Sequence, residues 1–150
     1  MEYTLKKSLG QHFLHDDKIC HAIVDAIPAC ERLLEVGPGA GAITKYILQI
    51  SGVDFKAVEL DDEKVVYLEK TYPAIRGKII HESILDCHAP FLESFTVVGN
   101  FPYNISSQIL FRVLEWKNQV PVMIGMFQKE VAKRIVSGPG NKDYGILSVL

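Results

Sequence analysis

The sequence contains few cysteines and pairs none of them at the spacing of a known motif. Its 150 residues include three, Cys20, Cys30 and Cys87. An odd number without a C-x-x-C pair argues against a disulfide framework and against the common zinc motifs. The thiols are therefore expected to be reduced, which predicts a cytoplasmic protein.

Long apolar segments are also lacking. The longest unbroken stretch, from Val120 to Phe127, is too short to span a bilayer. The N-terminus carries Lys6 and Lys7 without the apolar run and small-residue cleavage site of a secretory signal. With 48% hydrophobic and 23% charged residues, the composition is that of an ordinary globular protein, and the length predicts one domain without membrane contact.

A strong positive charge, which is typical of nucleic-acid-binding proteins, is missing as well. The formal net charge is −2, and taken alone it lowers the expectation of an RNA substrate. Basic residues are nevertheless concentrated near both ends, where a local cluster could bind phosphates. Scattered, solvated lysines explain this composition equally well. The residues concerned are Lys6, Lys7, Lys129, Lys133, Arg134 and Lys142.

Strand patterns alternate with helix patterns along the chain. This order predicts right-handed βαβ units, a mostly parallel sheet with helices on both faces, and ligands at the carboxyl ends of the strands. The segment 144–150 is apolar and ends without a cap or polar tail, so we expect a fragment cut inside an element. The predicted strands are 32–36, 54–59, 78–81, 95–99 and 120–127, and the helices carry Ile19/Ile23/Ile27, Ile43/Ile47/Ile50, Val65/Val66/Leu68, Ile105/Ile109/Val113 and residues 128–136.

A glycine-rich turn, residues 37–41, follows the first predicted strand, and Glu59 closes the second. Glycines at a strand-to-helix turn let a ligand approach the backbone, and a carboxylate at this distance can accept hydrogen bonds from ribose hydroxyls. The pattern suits any adenosine-containing ligand and also satisfies the dinucleotide fingerprint, so an NAD-dependent oxidoreductase is an alternative. A tight helix-sheet contact without any ligand is another. Pro38, which lacks an N–H for a pyrophosphate, and Glu35, which could pair with an ammonium group, favour a ligand with an amino-acid tail.

The segment Asn100-Phe101-Pro102-Tyr103 follows the fourth predicted strand. The exocyclic amine of adenine is a poor nucleophile, and two hydrogen-bond acceptors would stabilise the charge that develops during methyl transfer. The Asn100 side chain and the Phe101 carbonyl can be these acceptors, since Pro102 restricts the preceding residue. Tyr103 offers a face on which an extruded base can stack. An ordinary loop with a helix cap, a turn and a packed tyrosine is the alternative.

Five ordered motifs resemble the N-terminal catalytic part of the bacterial-type small-subunit ribosomal RNA adenine dimethyltransferases. The resemblance covers essentially the whole chain. It implies a Rossmann-like S-adenosylmethionine-dependent methyltransferase fold, with residues 1–150 as the cofactor-binding catalytic domain and without the helical C-terminal RNA-binding domain. The motifs are Lys-Ser-Leu-Gly-Gln-His-Phe-Leu at 7–14, Glu-Val-Gly-Pro-Gly-Ala-Gly at 35–41, Val-Glu-Leu-Asp at 58–61, Gly-Asn-Phe-Pro-Tyr-Asn-Ile-Ser at 99–106 and Gln-Lys-Glu-Val-Ala at 128–132.

The function implied by this resemblance is the methylation of two adjacent adenines near the 3′ end of 16S rRNA. Each would receive two methyl groups from S-adenosylmethionine, giving N6,N6-dimethyladenosine, with a role in ribosome biogenesis. The implied partner is the small ribosomal subunit, and the protein is expected to be a monomer that needs no metal. The stretch with Cys87 and His88 matches no zinc spacing.

The resemblance also assigns roles to individual residues. Asn100, Phe101, Pro102 and Tyr103 are the expected catalytic segment, in which relatives usually have Leu at the position of Phe101. Relatives usually place an aspartate for the cofactor adenine after the third strand, where this chain has Ser83, so that Ser83 or Glu82 would have to replace it. The expected cofactor-binding residues are His12 and Leu14 over the methionine end, Glu35, Gly37, Gly39 and Gly41 around the methionine moiety, Glu59 and Leu60 at the ribose, Ser83 and Ile84 at the adenine, and Asn100.

Two further alternatives remain. Methyltransferases of the antibiotic-resistance type modify one adenine of large-subunit rRNA and share the glycine loop and an Asn-x-Pro-Tyr/Phe segment. Some relatives act instead as binding proteins in ribosome assembly or organellar transcription. Intact Asn100 and Tyr103 favour retained catalysis, and the residues after Tyr103 resemble the small-subunit group.

Overall fold

The computed structural model describes residues 17–101, 106–126 and 145–148. They form one six-stranded sheet in which every neighbouring pair is parallel, in the order β3-β2-β1-β4-β5-β6. The α/β fold with a parallel sheet is therefore confirmed. The strands are β1 Arg32–Val36, β2 Asp54–Val58, β3 Ile79–Ile80, β4 Thr96–Asn100, β5 Val122–Met126 and β6 Gly145–Ser148; the helices are α1 Asp17–Asp25, α2 Thr44–Ile47, α3 Asp62–Thr71 and α4 Ser106–Leu114, with a 3₁₀ turn at Pro73–Ile75.

Two hydrophobic clusters cover the two faces of the sheet. One cluster packs α1, α2 and α3 against β1, β2, β4 and β5, and includes Ile23, Ile47 and Leu68. The other packs α4 and the β3–β4 loop against the opposite face, and includes Val113 and Trp116. Because successive residues of a strand point to opposite faces, Leu33 belongs to the first cluster and Leu34 to the second. Helices on both faces were expected from the sequence.

The strand order places the direction change of the chain between β1 and β4. From β1 the chain proceeds outward to β2 and β3, then crosses back to β4 and proceeds the other way. At such a switch point the connections leave a crevice outside the carboxyl ends of the two central strands. The glycine loop leaves β1 at this point, and Asn100 ends β4 there.

The helix after the glycine loop is shorter than predicted. Regular α-helix covers only Thr44–Ile47, flanked by turns. Ile43 and Ile47 are buried, each 2% exposed, but Ile50 is 37% exposed, so its predicted place on the buried face is wrong. Ile50 lies beyond the helix in the connection to β2, where it no longer follows the helical period. Gly52, with φ of 76°, adopts the left-handed conformation that suits the end of a helical segment.

Strand boundaries were predicted to within one or two residues. β1 matches the prediction, β2 ends at Val58 rather than Glu59, and β4 is shifted by one residue. The apolar segment after Tyr144 contains β6, which extends the sheet beside β5 and was not assigned as a strand. The predicted helix 128–136 lies outside the described residues. In the described part of the chain, no helix has the length and apolar character required to cross a bilayer.

Candidate active site

The glycine loop and the ends of β2 and β4 meet because of the sheet register. Val36 pairs with Val58 on one side and with Gly99 on the other. The residues that follow these three, Gly37, Glu59 and Asn100, therefore lie next to one another at the carboxyl edge. Gly37 N–H donates to the Val58 carbonyl at 2.9 Å, which continues the β1–β2 ladder into the loop. Three segments singled out from the sequence thus border one crevice.

Backbone geometry explains the glycines of the loop. Gly37 has φ of 66°, a conformation that side chains disfavour, and a Cβ there would meet no atom within 4 Å. The loop consequently borders open space at Gly37. Gly41 is different: a Cβ on it would lie 2.5 Å from the Tyr72 ring and 3.2 Å from Leu68, where α3 packs against the loop. Gly37 allows approach from outside, and Gly41 allows close packing from within.

Glu59 organises the crevice by holding the backbone on both sides of it. The residue is only 7% exposed. Its Oε1 accepts a hydrogen bond from Gly39 N–H and its Oε2 one from Asp61 N–H, both at 3.1 Å. Asp61 in turn caps α3 by accepting from the N–H groups of Glu63 and Lys64. A carboxylate that accepts one bond on each oxygen retains further lone pairs.

Glu35 lies in an environment that the sequence did not predict. It is 1% exposed on the same face of β1 as Leu33, and its Oε1 accepts a 2.5 Å hydrogen bond from the Thr44 hydroxyl on α2. Burial raises the pKa of Glu35 from 4.5 to about 8; the Thr44 bond lowers that pKa, and the Glu59 charge raises it further. At neutral pH the carboxyl is therefore mostly protonated. This environment does not support the expected ion pair with an ammonium group.

Phe101 is accommodated by two glycines on adjacent strands. Its side chain is 4% exposed. A Cβ on Gly99 would lie 3.0 Å from the ring, and a Cβ on Gly125 of β5 would overlap the ring and the Gly99 carbonyl oxygen. These strands thus leave a recess that the aromatic ring fills. The neighbouring Asn100 is paired in register with Met126.

The residues predicted for the adenine side of the cofactor lie in the loop that follows β3. Ser83 is half-buried, and its hydroxyl oxygen accepts a hydrogen bond from Leu85 N–H at 3.2 Å. Ile84 is 6% exposed and packs within the α4-side cluster, whereas Leu60, next to Glu59, is 63% exposed. His12, Leu14, Pro102 and Tyr103 lie outside the described residues. All assigned cofactor and catalytic roles stay predictions.

Three contacts between separate elements had no recognisable signal in the sequence. Thr44 bonds Glu35 from nine residues away, Gly125 receives the Phe101 ring from another strand, and Arg112 on α4 contacts the β3–β4 loop. Each partnership depends on the packing of elements that are separate in the chain. Within the described ranges, no group of three or more His, Cys, Asp or Glu side chains could hold a metal ion.

The family model described as "Ribosomal RNA adenine dimethylase" matches residues 2–150 of the chain. The chain belongs to the ribosomal RNA adenine dimethylase family. Membership agrees with the resemblance predicted from the five motifs and with S-adenosylmethionine as the methyl donor. It favours the methyltransferase over the NAD-dependent oxidoreductase.

Individual relatives agree with this assignment, and solved structures agree with the fold. The chain is 51% identical to the ribosomal RNA small subunit methyltransferase A of Parabacteroides distasonis, over 97% of the chain and 56% of the relative. Its fold is similar to that of a dimethyladenosine transferase from Plasmodium falciparum (TM-score 0.63, 24% identity, 89% of this chain and 47% of that one). It is also similar to the 23S rRNA methyltransferase ErmE (TM-score 0.61, 20% identity, 79% and 47%). The chain spans little more than half the length of the curated relatives it matches.

Proposed function

We propose that this chain is the cofactor-binding catalytic domain of an enzyme that dimethylates two adjacent adenines near the 3′ end of 16S rRNA. The single observation that carries the proposal is the convergence of Gly37, Glu59 and Asn100 at the switch point of the sheet, in a chain of the ribosomal RNA adenine dimethylase family. The small ribosomal subunit is the proposed partner, because the curated relatives are named as small subunit methyltransferases. We further propose that the protein acts as a cytoplasmic monomer.

The crevice residues fit S-adenosylmethionine. Open space at Gly37 leaves room for a ligand against the loop, and no Cβ obstructs it. Glu59 keeps lone pairs toward ribose hydroxyls while its bonds to Gly39 and Asp61 fix its orientation. Exposed Leu60 offers an apolar surface beside it. Because Glu35 is mostly protonated and bonded to Thr44, we assign it to support of the loop-to-α2 connection rather than to a charge on the cofactor.

The bound cofactor supplies an electrophilic methyl group, and the residues of the chain prepare the amine that receives it. The Asn100 side-chain oxygen and the Phe101 carbonyl accept hydrogen bonds from the two amine hydrogens of the target adenine. These acceptors stabilise the positive charge that develops on the amine nitrogen, so their effect is greatest at the transition state. The Tyr103 ring stacks on the extruded base. The recess formed by Gly99 and Gly125 holds the Phe101 side chain and so supports the orientation of its carbonyl.

The test is methyl transfer by the complete protein from labelled S-adenosylmethionine. Immature small ribosomal subunits and large-subunit rRNA are offered separately, and modified nucleosides are identified after digestion. Label that appears as dimethyladenosine only in the small subunit would support the proposal. Label in large-subunit rRNA would support the resistance-type activity instead. Cofactor binding without label in either RNA would favour a binding role, and sedimentation of the same preparation tests the monomer.

A further inference from the structure

Arg112 connects α4 to the loop that follows β3. Its Nε donates to the Ile84 carbonyl at 3.3 Å, and its Nη2 donates to the Cys87 carbonyl. Its Nη1 donates to Glu115 Oε1 at 2.5 Å, and the guanidinium lies over the Trp116 ring, 5.0 Å from the centroid. The Arg112 side chain is 21% exposed. All donor-bearing nitrogens of this side chain are thus engaged, and two of them bind loop carbonyls.

The first part of this loop, residues 83–87, is a tight turn that begins at Ser83. The Ser83 carbonyl accepts from Asp86 N–H and from Cys87 N–H, each at 3.0 Å, and the Ser83 hydroxyl oxygen accepts from Leu85 N–H. Within the turn, the Ile84 carbonyl accepts a weak bond from the Cys87 thiol at 3.8 Å. Arg112 supplies charged donors to both the Ile84 and the Cys87 carbonyl. The position of Ser83 therefore depends, through the turn, on the guanidinium.

Burial reinforces this attachment. Ile84 and Cys87 are 6% and 1% exposed and belong to the same cluster as Val113 and Trp116 of the α4 side. Burial raises the pKa of the Cys87 thiol, while the nearby Arg112 charge lowers it. The turn is consequently held by the packing of Ile84 and Cys87 in this cluster and by the hydrogen bonds of the Arg112 guanidinium. Ser83 is half-buried and Glu82 is exposed, and both precede the packed part of the turn.

We propose that Arg112 is a positioning residue for the adenine side of the cofactor site. The proposal rests on the proposed function and adds to it that Ser83, rather than Glu82, accepts a hydrogen bond from the adenine amine of the cofactor. By fixing the turn, Arg112 sets the distance between Ser83 and the base. Lysine cannot replace it, because a single ammonium lacks the planar fork that binds two carbonyls while lying flat on an indole ring.

The decisive measurement is discrimination between two ligands, S-adenosylhomocysteine and its 6-deamino analogue, in which a hydrogen atom replaces the exocyclic amine and leaves the Ser83 hydroxyl no polar group to bind there. We expect the wild-type chain to prefer the adenosyl ligand in isothermal titration calorimetry. Arg112→Lys should weaken adenosyl binding about tenfold, the effect of one lost hydrogen bond, and leave binding of the deamino analogue unchanged. Ser83→Ala should lose the same preference. The double variant should lose no more than either single variant, because both changes remove one contact.

Arg32→Lys is the matched control. Arg32 of β1 is 22% exposed, donates to the Ser94 carbonyl at 3.0 Å and pairs with Glu31 and Glu93, so it contacts the far end of the β3–β4 loop and not the turn at residues 83–87. It should keep the wild-type preference. A wild-type preference in Arg112→Lys, or an equal loss in Arg32→Lys, would overturn the role of Arg112. If Arg112→Lys loses the preference but the wild-type protein methylates no rRNA, the role of Arg112 is supported and the proposed function is contradicted. A wild-type chain that binds neither ligand would overturn both.

Discussion

At the scale of single residues, two tasks fall to residues at the ends of β2 and β4, the strands on either side of β1. Glu59 follows the last residue of β2 and accepts a hydrogen bond from the backbone N–H of Gly39 in the glycine loop. Asn100 ends β4, on the other side of β1. In the proposed mechanism Glu59 holds the cofactor, whereas Asn100 acts on the target amine. Substitutions at the two sites should therefore change different kinetic quantities.

Asn100→Ala should lower kcat for methylation by about two to three orders of magnitude, as expected for the loss of one acceptor at a developing charge. The Kd for S-adenosylmethionine should change little, because the contact matters mainly in the transition state. Single-turnover methylation and equilibrium cofactor binding measure the two effects separately. Unchanged turnover would contradict the mechanism.

Glu59→Ala serves as the complementary control. It should mainly raise the Kd for the cofactor, because it removes the ribose contact and frees Gly39 N–H. Normal cofactor affinity in this variant would count against a ribose role for Glu59.

At the scale of elements, β4 and β5 are linked by the side chain of Phe101. The ring occupies space that two glycines, Gly99 and Gly125, leave open on paired strands. The glycine recess accommodates the whole aromatic ring of Phe101. The fit is a property of two strands together, since neither glycine alone makes the recess.

Gly125→Ala should destabilise the protein by about 1–3 kcal/mol, the range found for overpacked cores. The added methyl would overlap both the Phe101 ring and the Gly99 carbonyl oxygen. Urea unfolding followed by circular dichroism measures the loss. Phe101→Leu in the same background should recover only part of it, because the clash with the backbone oxygen remains. Full stability in Gly125→Ala would show that the recess is not filled as described.

Helices and strands were predicted best where the spacing of apolar residues is regular over the whole element. α3 begins after Asp61, which caps it, and Val65 and Leu68 of the predicted pattern are buried, whereas Val66 is 61% exposed. The helix after the glycine loop was predicted too long, because the spacing of isoleucines continues to Ile50, which lies beyond α2 in the connection to β2. β6 was not assigned as a strand, because its extended conformation is recognisable only from its parallel pairing with β5.

At the scale of the whole molecule, the buried Glu35 carboxyl should make stability depend on pH. Its pKa is 4.5 when unfolded and about 8 when folded. Between these values the unfolded state binds fewer protons, so the free energy of unfolding should fall as the pH rises, by up to about 1.4 kcal/mol per pH unit. The stabilisation is fully present below pH 4.5.

Glu35→Gln should flatten this dependence between pH 5 and pH 8, because glutamine keeps an oxygen for the Thr44 hydroxyl and carries no proton to lose. Denaturant midpoints measured across this range for wild type and variant give the comparison. Glu63→Gln, at an exposed position of α3, should keep the wild-type slope. Parallel curves for wild type and Glu35→Gln would contradict the raised pKa.

The sequence by itself determined the α/β class, the positions of five strands, the glycine loop and the family. These features depend on short-range periods, glycine chemistry and ordered motifs, all of which are local in the chain. Only the tertiary structure decided that Glu35 lies in the core beside Thr44, that Gly125 receives Phe101 and that Arg112 holds the turn after β3. Those contacts join residues from separate elements, and their partners follow from strand order and helix packing, which no single segment specifies.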